Sequence, residues 1–172
     1  MNIQRKYLIL ATIAGAIIAI DQVIKIYVHA NFTLGESHPV IQDIFHITYV
    51  RNTGAAFGFF RDAAELFRTV FFLSMPPIAC IIILRMLKTV EEHDLWQIFS
   101  LSMIFGGAIG NYIDRLRFGF VIDFLDFHYK ESWSYPAFNV ADSAIVCGVS
   151  ILLLLMALQA RAEKKNQKPQ KA

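Results

Sequence analysis

Several ionisable and amide side chains of this chain lie inside or beside long apolar runs. A charge at membrane depth costs roughly 2.5–3.5 kcal/mol on insertion scales, so such groups persist when they pair with one another or do chemistry. Asp21 and Lys25 are four apart. On a helix they share a face, where they could form an ion pair or support a site. Asn111 and Arg115 are also four apart, with Asp114 beside Arg115. The planar guanidinium suits a carboxylate or a backbone carbonyl, or it could snorkel to the membrane interface. Asn139 and Asp142 are three apart, and Asp142 opens a long apolar run. A carboxylate in the first turn of a helix is favoured by the helix dipole. Asp123 stands between Ile122 and Phe124 in the apolar segment Gly119-Phe120-Val121-Ile122-Asp123-Phe124, which is no setting for a solvated loop carboxylate.

Taken singly, each aspartate has a structural explanation. Taken together, Asp123 and Asp142 permit a specific chemistry. Two carboxylates sharing a site do not both ionise easily, so one holds its proton to higher pH. The protonated one can polarise a carbonyl while the ionised one takes a proton from water. That is peptide hydrolysis without a metal or a covalent intermediate. The 18 residues between the two aspartates allow them to meet but do not require it.

Other catalytic schemes fit less well. There is no His-Glu-x-x-His zinc motif and no Gly-rich phosphate loop after a strand. A serine protease of the membrane interior needs a Ser with a His base, whereas His29, His38, His46, His93 and His128 all fall in expected loops or helix ends. Cys80 and Cys147 lie in apolar runs and read as small core residues rather than as a disulfide or metal ligands. No metal or cofactor is expected at the site.

These residues need a membrane scaffold to position them. Apolar residues make up 56% of the 172 and charged residues 17%, with 15 Phe. Soluble domains sit near 45–50% and about 25%. Mean hydropathy is +0.47. Four stretches meet the need for roughly 20 mostly apolar residues per membrane-spanning helix: about 7–28, 66–87, 95–113 and 140–160. The fold class expected is therefore an α-helical integral membrane protein with four spans. Arg5 and Lys6 before the run Tyr7 to Ile20, and the small-residue site Val28-His29-Ala30, imitate a secretory signal. Asp21 and Lys25 interrupt that pattern, so the first span is expected to be kept. Pro76 and Pro77 should kink the second span rather than break it. Ser102, Gly106 and Gly110, four apart along the third, form a small-residue stripe that lets another helix approach. No internal repeat of the transporter kind is present.

Arg5, Lys6, Arg85, Lys88 and the tail Arg161, Lys164, Lys165, Lys168 and Lys171 place nine basic residues on one side. Seven others, Lys25, Arg51, Arg61, Arg68, Arg115, Arg117 and Lys130, fall on the other side. This small bias puts both termini in the cytoplasm. The net charge of +2 gives no basic face for nucleic acid. The outward segments run from Asn31 to about Glu65 and from Leu116 to about Asn139. The first contains Ile44 to Val50, rich in β-branched and aromatic residues, which predicts strands. A small sheet over about 40–60 should lie at the extracytoplasmic membrane surface, with Asp62 to Phe67 a short helix leading into span two. Residues 1–160 would form one membrane domain and 161–172 a basic cytoplasmic tail.

Five blocks of this sequence, in order, resemble the lipoprotein signal peptidases of bacteria, also called type II signal peptidases. They are Asp21-Gln22-Val23-Ile24-Lys25, Arg51-Asn52-Thr53-Gly54-Ala55-Ala56-Phe57, Gly106 to Arg115, Gly119 to Phe124, and Pro136-Ala137-Phe138-Asn139-Val140-Ala141-Asp142-Ser143. The resemblance implies an aspartic peptidase of the bacterial inner membrane, with Asp123 and Asp142 as its catalytic dyad near the outer face. It implies that Asn52, Gly54, Asn111, Arg115 and Asn139 line the substrate site and that Asp21 and Lys25 support it. Family members cut a prolipoprotein just before a cysteine bearing a diacylglyceryl group, so a diacylated substrate entering from the lipid bilayer is implied. Separately from the resemblance, a monomer is expected. Tyr112 stands where the pattern expects Leu, and Phe59-Phe60 extends a strand. An apolar groove for the lipid is expected, with Phe57 to Phe72 as a wall and the sheet as a lid. Two rival readings remain: a small transporter or channel subunit using the same buried carboxylates, and a structural membrane protein whose polar groups fix helix register.

Overall fold

Long apolar runs must close their backbone hydrogen bonds internally in lipid, and helices do so. In a computed structural model that describes residues 4–54, 64–130 and 132–166, four such runs are helical. They are α1 (Arg5–Asn31), α2 (Glu65–Thr89), α3 (Leu95–Phe118) and α4 (Val140–Asn166). Each is longer than the span expected from the sequence, most of all α4, which carries Arg161 and Lys164 of the expected tail on its last turns. α2 continues unbroken through Pro76 and Pro77. It starts at Glu65, so Glu65 to Phe67 of the expected lead-in helix are its first turn, and Asp62 and Ala63 lie outside the described residues.

Three of the helices, α1, α2 and Val140–Lys164 of α4, are long and apolar enough to cross a membrane. α3 is not among them, and its place in the fold gives the reason. It packs against α1, α2 and α4, so its surface meets protein on most sides and needs few large apolar groups. Its buried residues include Ser100, Ser102, Gly106, Gly107, Gly110, Asn111 and Asp114. Around the outside, Leu8, Val23, Val70, Ile81, Val146 and Leu154 are exposed. A water-soluble protein does not carry an apolar exterior of that extent.

The expected small-residue stripe is a true contact surface, and it is wider than Ser102, Gly106 and Gly110. A Cβ on Gly106 would lie 2.9 Å from the Ala14 Cα of α1. One on Gly107 would run into the carbonyl oxygen of Ala141 in α4. Gly148 of α4 faces the Ser100 carbonyl at 2.7 Å in the same way. Gly119 ends α3 in the left-handed region, at φ 76°. Its N–H donates to Arg115 O at 3.1 Å, closing the last turn.

A four-stranded antiparallel sheet, in the order β1 (Ser37–Ile41), β2 (Phe45–Asn52), β3 (Val121–Tyr129) and β4 (Trp133–Ser134), sits at one end of the helices. Half of it comes from the second outward segment. Asp123, in an outward segment for which no strand was expected, is in β3. The sheet residues beyond Gly54 in the expected range lie outside the described residues. Pro39 sits in β1 at the sheet edge, where a missing N–H is tolerated. β2 carries a bulge: His46 and Ile47 pair with Asp126 and Leu125, but Val50 and Asn52 pair with Asp123 and Val121. One extra residue of β2 is accommodated there. Asp123 and Asp126 point to opposite faces because they are three apart on β3. The extra residue lets Asn52 follow Asp123 while His46 follows Asp126.

A buried ionic cluster ties α1 to α3 and the sheet. Lys25 Nζ lies 2.8 Å from Asp21 Oδ2 and 2.9 Å from Asp114 Oδ2. Its third proton goes to Asn111 Oδ1 at 2.9 Å, so all three ammonium donors are used. Asp114 also accepts from Gln22 Nε2 at 2.8 Å and from Ile122 N of β3 at 3.0 Å. Asp21 Oδ1 accepts Ala141 N at 2.9 Å, capping α4. At the other end Lys6, counted among the basic residues of the cytoplasmic side, is buried and donates to Lys88 O and Val90 O. It thereby closes the C-terminus of α2.

Removing one partner of a buried ion cluster leaves uncompensated charge and costs about 3–5 kcal/mol. Lys25→Ala should therefore lower the midpoint of thermal unfolding in detergent clearly; an unchanged midpoint would remove the cluster from the account of stability. Gly107→Ala should also lower it, because the added methyl group must push α4 off α3. Gly15→Ala, where nothing lies within 4 Å of the new Cβ, should leave the midpoint where it was.

Candidate active site

The two aspartates reach one site along separate routes. Asp142 comes from the first turn of α4, and Asn139, the residue before that helix, caps it. Asn139 Oδ1 accepts Asp142 N at 2.8 Å, which is the N-cap bond its residue type favours. Asp123 comes from β3, 1% exposed. Its Oδ1 accepts from Asn139 Nδ2 at 2.7 Å, and its Oδ2 accepts from Asn52 Nδ2 at 3.0 Å. One amide, that of Asn139, thus touches the Asp142 backbone with its oxygen and the Asp123 carboxyl with its nitrogen.

Asn111 supplies the second link. Lys25 donates to its Oδ1, as does Asn139 Nδ2 at 3.1 Å. With the oxygen committed to donors, the Asn111 nitrogen faces the other way and donates to Asp142 Oδ1 at 2.7 Å. The ionic cluster therefore sets which way this amide is turned. Asp142 Oδ2 has no hydrogen-bond partner among the described residues, and Asp142 lines a cavity.

Burial raises the pKa of Asp123 from the usual carboxylate value to about 7, and the nearby Asp142 charge pushes in the same direction. The Asn52 and Asn139 hydrogen bonds oppose the rise without cancelling it. One proton held between two carboxyl groups is the condition that acid and base roles at one site require.

Arg115 closes another side. Its Nη2 donates to Gly54 O at 3.1 Å and its guanidinium lies 4.6 Å from the Phe72 ring centre. Of the two partners its residue type suggests, the hydrogen bond found is to a backbone carbonyl. Gly54 N in turn donates to Asn52 Oδ1 at 3.0 Å, which aims the Asn52 nitrogen at Asp123. Asp21, Lys25, Asn52, Gly54, Asn111, Arg115, Asp123, Asn139 and Asp142 thus form one connected network. Sequence reasoning missed Asp114 as the second anion of Lys25, and Gln22 beside it. The i, i+4 spacing on α1 was visible, but the Lys25–Asp114 pair crosses between helices 89 residues apart in sequence.

The cavity of about 530 Å³ that reaches Asp142 is lined mainly by apolar groups, among them Phe127, Trp133, Tyr135, Phe138 and Val146. Among the described residues it opens along α4 and the β3–β4 hairpin, and of the Phe-rich segment expected as its wall, residues 64–72 do not line it. Residues 57–63 of that segment lie outside the described residues, and Phe72 lines a second, smaller cavity of about 270 Å³ with Arg68 and Arg115. Cys147, expected in the core, is exposed and lines the larger cavity, whereas Cys80 is buried. Among the described residues no metal-capable cluster forms at Asp123 and Asp142. The one that exists, His46, Asp126 and His128, belongs to the opposite face of β3.

Comparison with known proteins agrees over nearly the whole chain. Residues 13–158 match the family described as signal peptidase (SPase) II. A lipoprotein signal peptidase of Syntrophus aciditrophicus is 48% identical over 161 residues, covering 93% of this chain and 99% of that one. That of Geobacter metallireducens is 41% identical over 160 residues, covering 93% and 97%. A bacterial membrane enzyme solved by the in meso method at 2.3 Å resolution superposes with a TM-score of 0.79 at 29% identity, covering 95% and 93% of the two chains. A second, solved at 1.9 Å, gives 0.76 at 28% identity, covering 86% and 91%. With sequence and fold in agreement over most of its length, this chain belongs to the signal peptidase II family.

Proposed function

We propose that this protein is a membrane aspartic endopeptidase that removes the signal peptide from prolipoproteins, with Asp123 and Asp142 activating the water. The observation that carries the reading is the asparagine bridge, in which Asn111 and Asn139 hold the two carboxyl groups together while burial and charge keep a proton at Asp123 to about pH 7. Asp142 Oδ2 takes a proton from water, whose oxygen attacks the peptide carbonyl. The Asp123 carboxyl group donates a hydrogen bond to the carbonyl oxygen as it gains charge. Asn52 and Asn139 hold the Asp123 carboxyl oriented. Arg115 fixes Gly54 and so the edge against which an extended peptide can lie. Asp21 and Lys25 support the site through Asn111 and the α4 cap.

The cavity supports a lipid-bearing substrate. A cysteine bearing two acyl chains needs an apolar space open to lipid beside the carboxylates, and the cavity along α4 supplies it. All four helices, α3 included, are taken to span the bacterial inner membrane as one domain, with both termini cytoplasmic and the sheet on the outer surface. The enzyme acts as a single chain. A transporter reading finds no matching feature, since Lys25, Asp21 and Asp114 are engaged with one another.

Purified protein mixed with a diacylated prolipoprotein should release a shortened product. Asp142→Asn should slow release by about 10²–10⁴-fold, the usual worth of a positioned acid–base group, with the unfolding midpoint retained. An active Asp142→Asn variant would sink the dyad. Raising the pH through about 7 should strip the proton from Asp123 and leave two charged carboxylates. The rate constant kcat/KM should therefore fall on the alkaline side with a midpoint near 7. A profile flat from pH 5 to 9 would contradict the shared proton.

A further inference from the structure

Because of the β2 bulge, the face of β3 turned away from Asp123 carries its own polar cluster. His46 stands directly across from Asp126, and His128, two residues along β3, shares their face. One donor atom from each lies within 4.8 Å of the other two. Asp126 Oδ1 and His128 Nδ1 are 3.6 Å apart, and the His46 and His128 rings meet edge to face at 4.3 Å between centres.

The hydrogen bonds around the cluster decide which atom of His46 is available. Thr48 Oγ1 donates to Asp126 Oδ2 at 3.2 Å, because a carboxylate only accepts. Thr48 Oγ1 must then accept from Ser37 Oγ at 2.8 Å. Ser37 has spent its proton, so at 3.1 Å its oxygen accepts from His46 Nδ1–H. The other nitrogen, His46 Nε2, is left with a bare lone pair. It is buried, and among the described residues it is the one buried side-chain polar atom with no hydrogen-bond partner.

We propose that His46, Asp126 and His128 form a binding site for a divalent transition metal of the Zn²⁺ class on the sheet. The donors are His46 Nε2, Asp126 Oδ1 and His128 Nδ1. Two imidazoles and one carboxylate suit zinc. Ligands about 2.0–2.1 Å from a tetrahedral ion lie about 3.3–3.4 Å apart, close to the Asp126–His128 separation and reached for His46 by a small ring movement. The chain through Ser37 and Thr48 is the outer hydrogen-bond layer that fixes a ligand imidazole and its carboxylate neighbour. His128 and Asp126 are 15% and 23% exposed, so an ion enters from solvent, and water completes the fourth position. The metal joins β2 to β3, the strands that carry Asn52 and Asp123 on their opposite face.

The test uses the full chain in detergent, with any affinity tag removed, stripped with a chelator and desalted. Titration with CoCl₂ should give visible absorption of a tetrahedral ion saturating at one equivalent, and ZnCl₂ should bleach it. His46→Gln and His128→Gln should each weaken binding at least about tenfold, and Ser37→Ala about 10–100-fold through the outer layer. Asp142→Asn should bind as the parent does. Zn²⁺ should raise the unfolding midpoint of the parent and leave that of His46→Gln unmoved. Parent protein that takes up no stoichiometric Co²⁺ overturns the proposal, whatever the variants do. So does unchanged binding in a His46→Gln/His128→Gln double variant. Neither result bears on peptide cleavage, which is measured separately.

Discussion

The ammonium of Lys25, buried at 1% exposure among groups from α1 and α3, is the constraint from which the rest of the site follows. A charge in that position is tolerated only when its protons are all directed at acceptors. Asp21, Asp114 and Asn111 are those acceptors. Meeting the demand of Lys25 places α1 against α3, holds the start of β3 through the Asp114–Ile122 bond, and caps α4 through the Asp21–Ala141 bond. It also turns the Asn111 amide so that its nitrogen faces Asp142. The ion cluster is thus both the joint of the bundle and the reference that sets the candidate dyad.

The glycine contacts of α3 act with it. Helices that touch through Gly106, Gly107 and Gly148 approach backbone to backbone, and short reach is what Asn111 and Asp142 require. Asparagine and aspartate have short side chains, so a bundle spread by bulkier contacts would leave them out of hydrogen-bond range. Close packing and polar connection therefore depend on each other in this core. Lipid-facing residues have no such demand, and there the chain uses large aliphatic groups freely.

The helices were legible in the sequence because lipid imposes a single rule, an apolar run of sufficient length. Even so, α3 departs from that rule: its neighbours shield it, and its polar and small residues lower its hydropathy. The sheet was half legible. Ile44 to Val50 has strand composition, but Val121 to Phe124 is a uniform apolar run around one Asp, and period-two alternation is lost when both faces are covered. The network of Asn52, Asn111, Asn139 and Asp142 joins residues far apart in sequence, so spacing could nominate its members but not connect them; the family resemblance paired Asp123 with Asp142. The apolar groove was sought along Phe57 to Phe72, and among the described residues the larger cavity is lined from α4 and the β3–β4 hairpin. Composition marks apolar segments without saying which of them leave a gap.

The irregularity between Ile47 and Val50 has a consequence beyond local geometry. It puts the two ends of β2 out of phase, so that one strand serves two surfaces with different duties: a carboxylate site on one side and an imidazole cluster on the other. Strand length at this point carries information that residue identity does not. A chain one residue shorter there would keep every side chain of the network and still turn Asn52 away from Asp123. Gain and loss of single residues, rather than exchange of one type for another, is the change to which this part of the molecule is least tolerant.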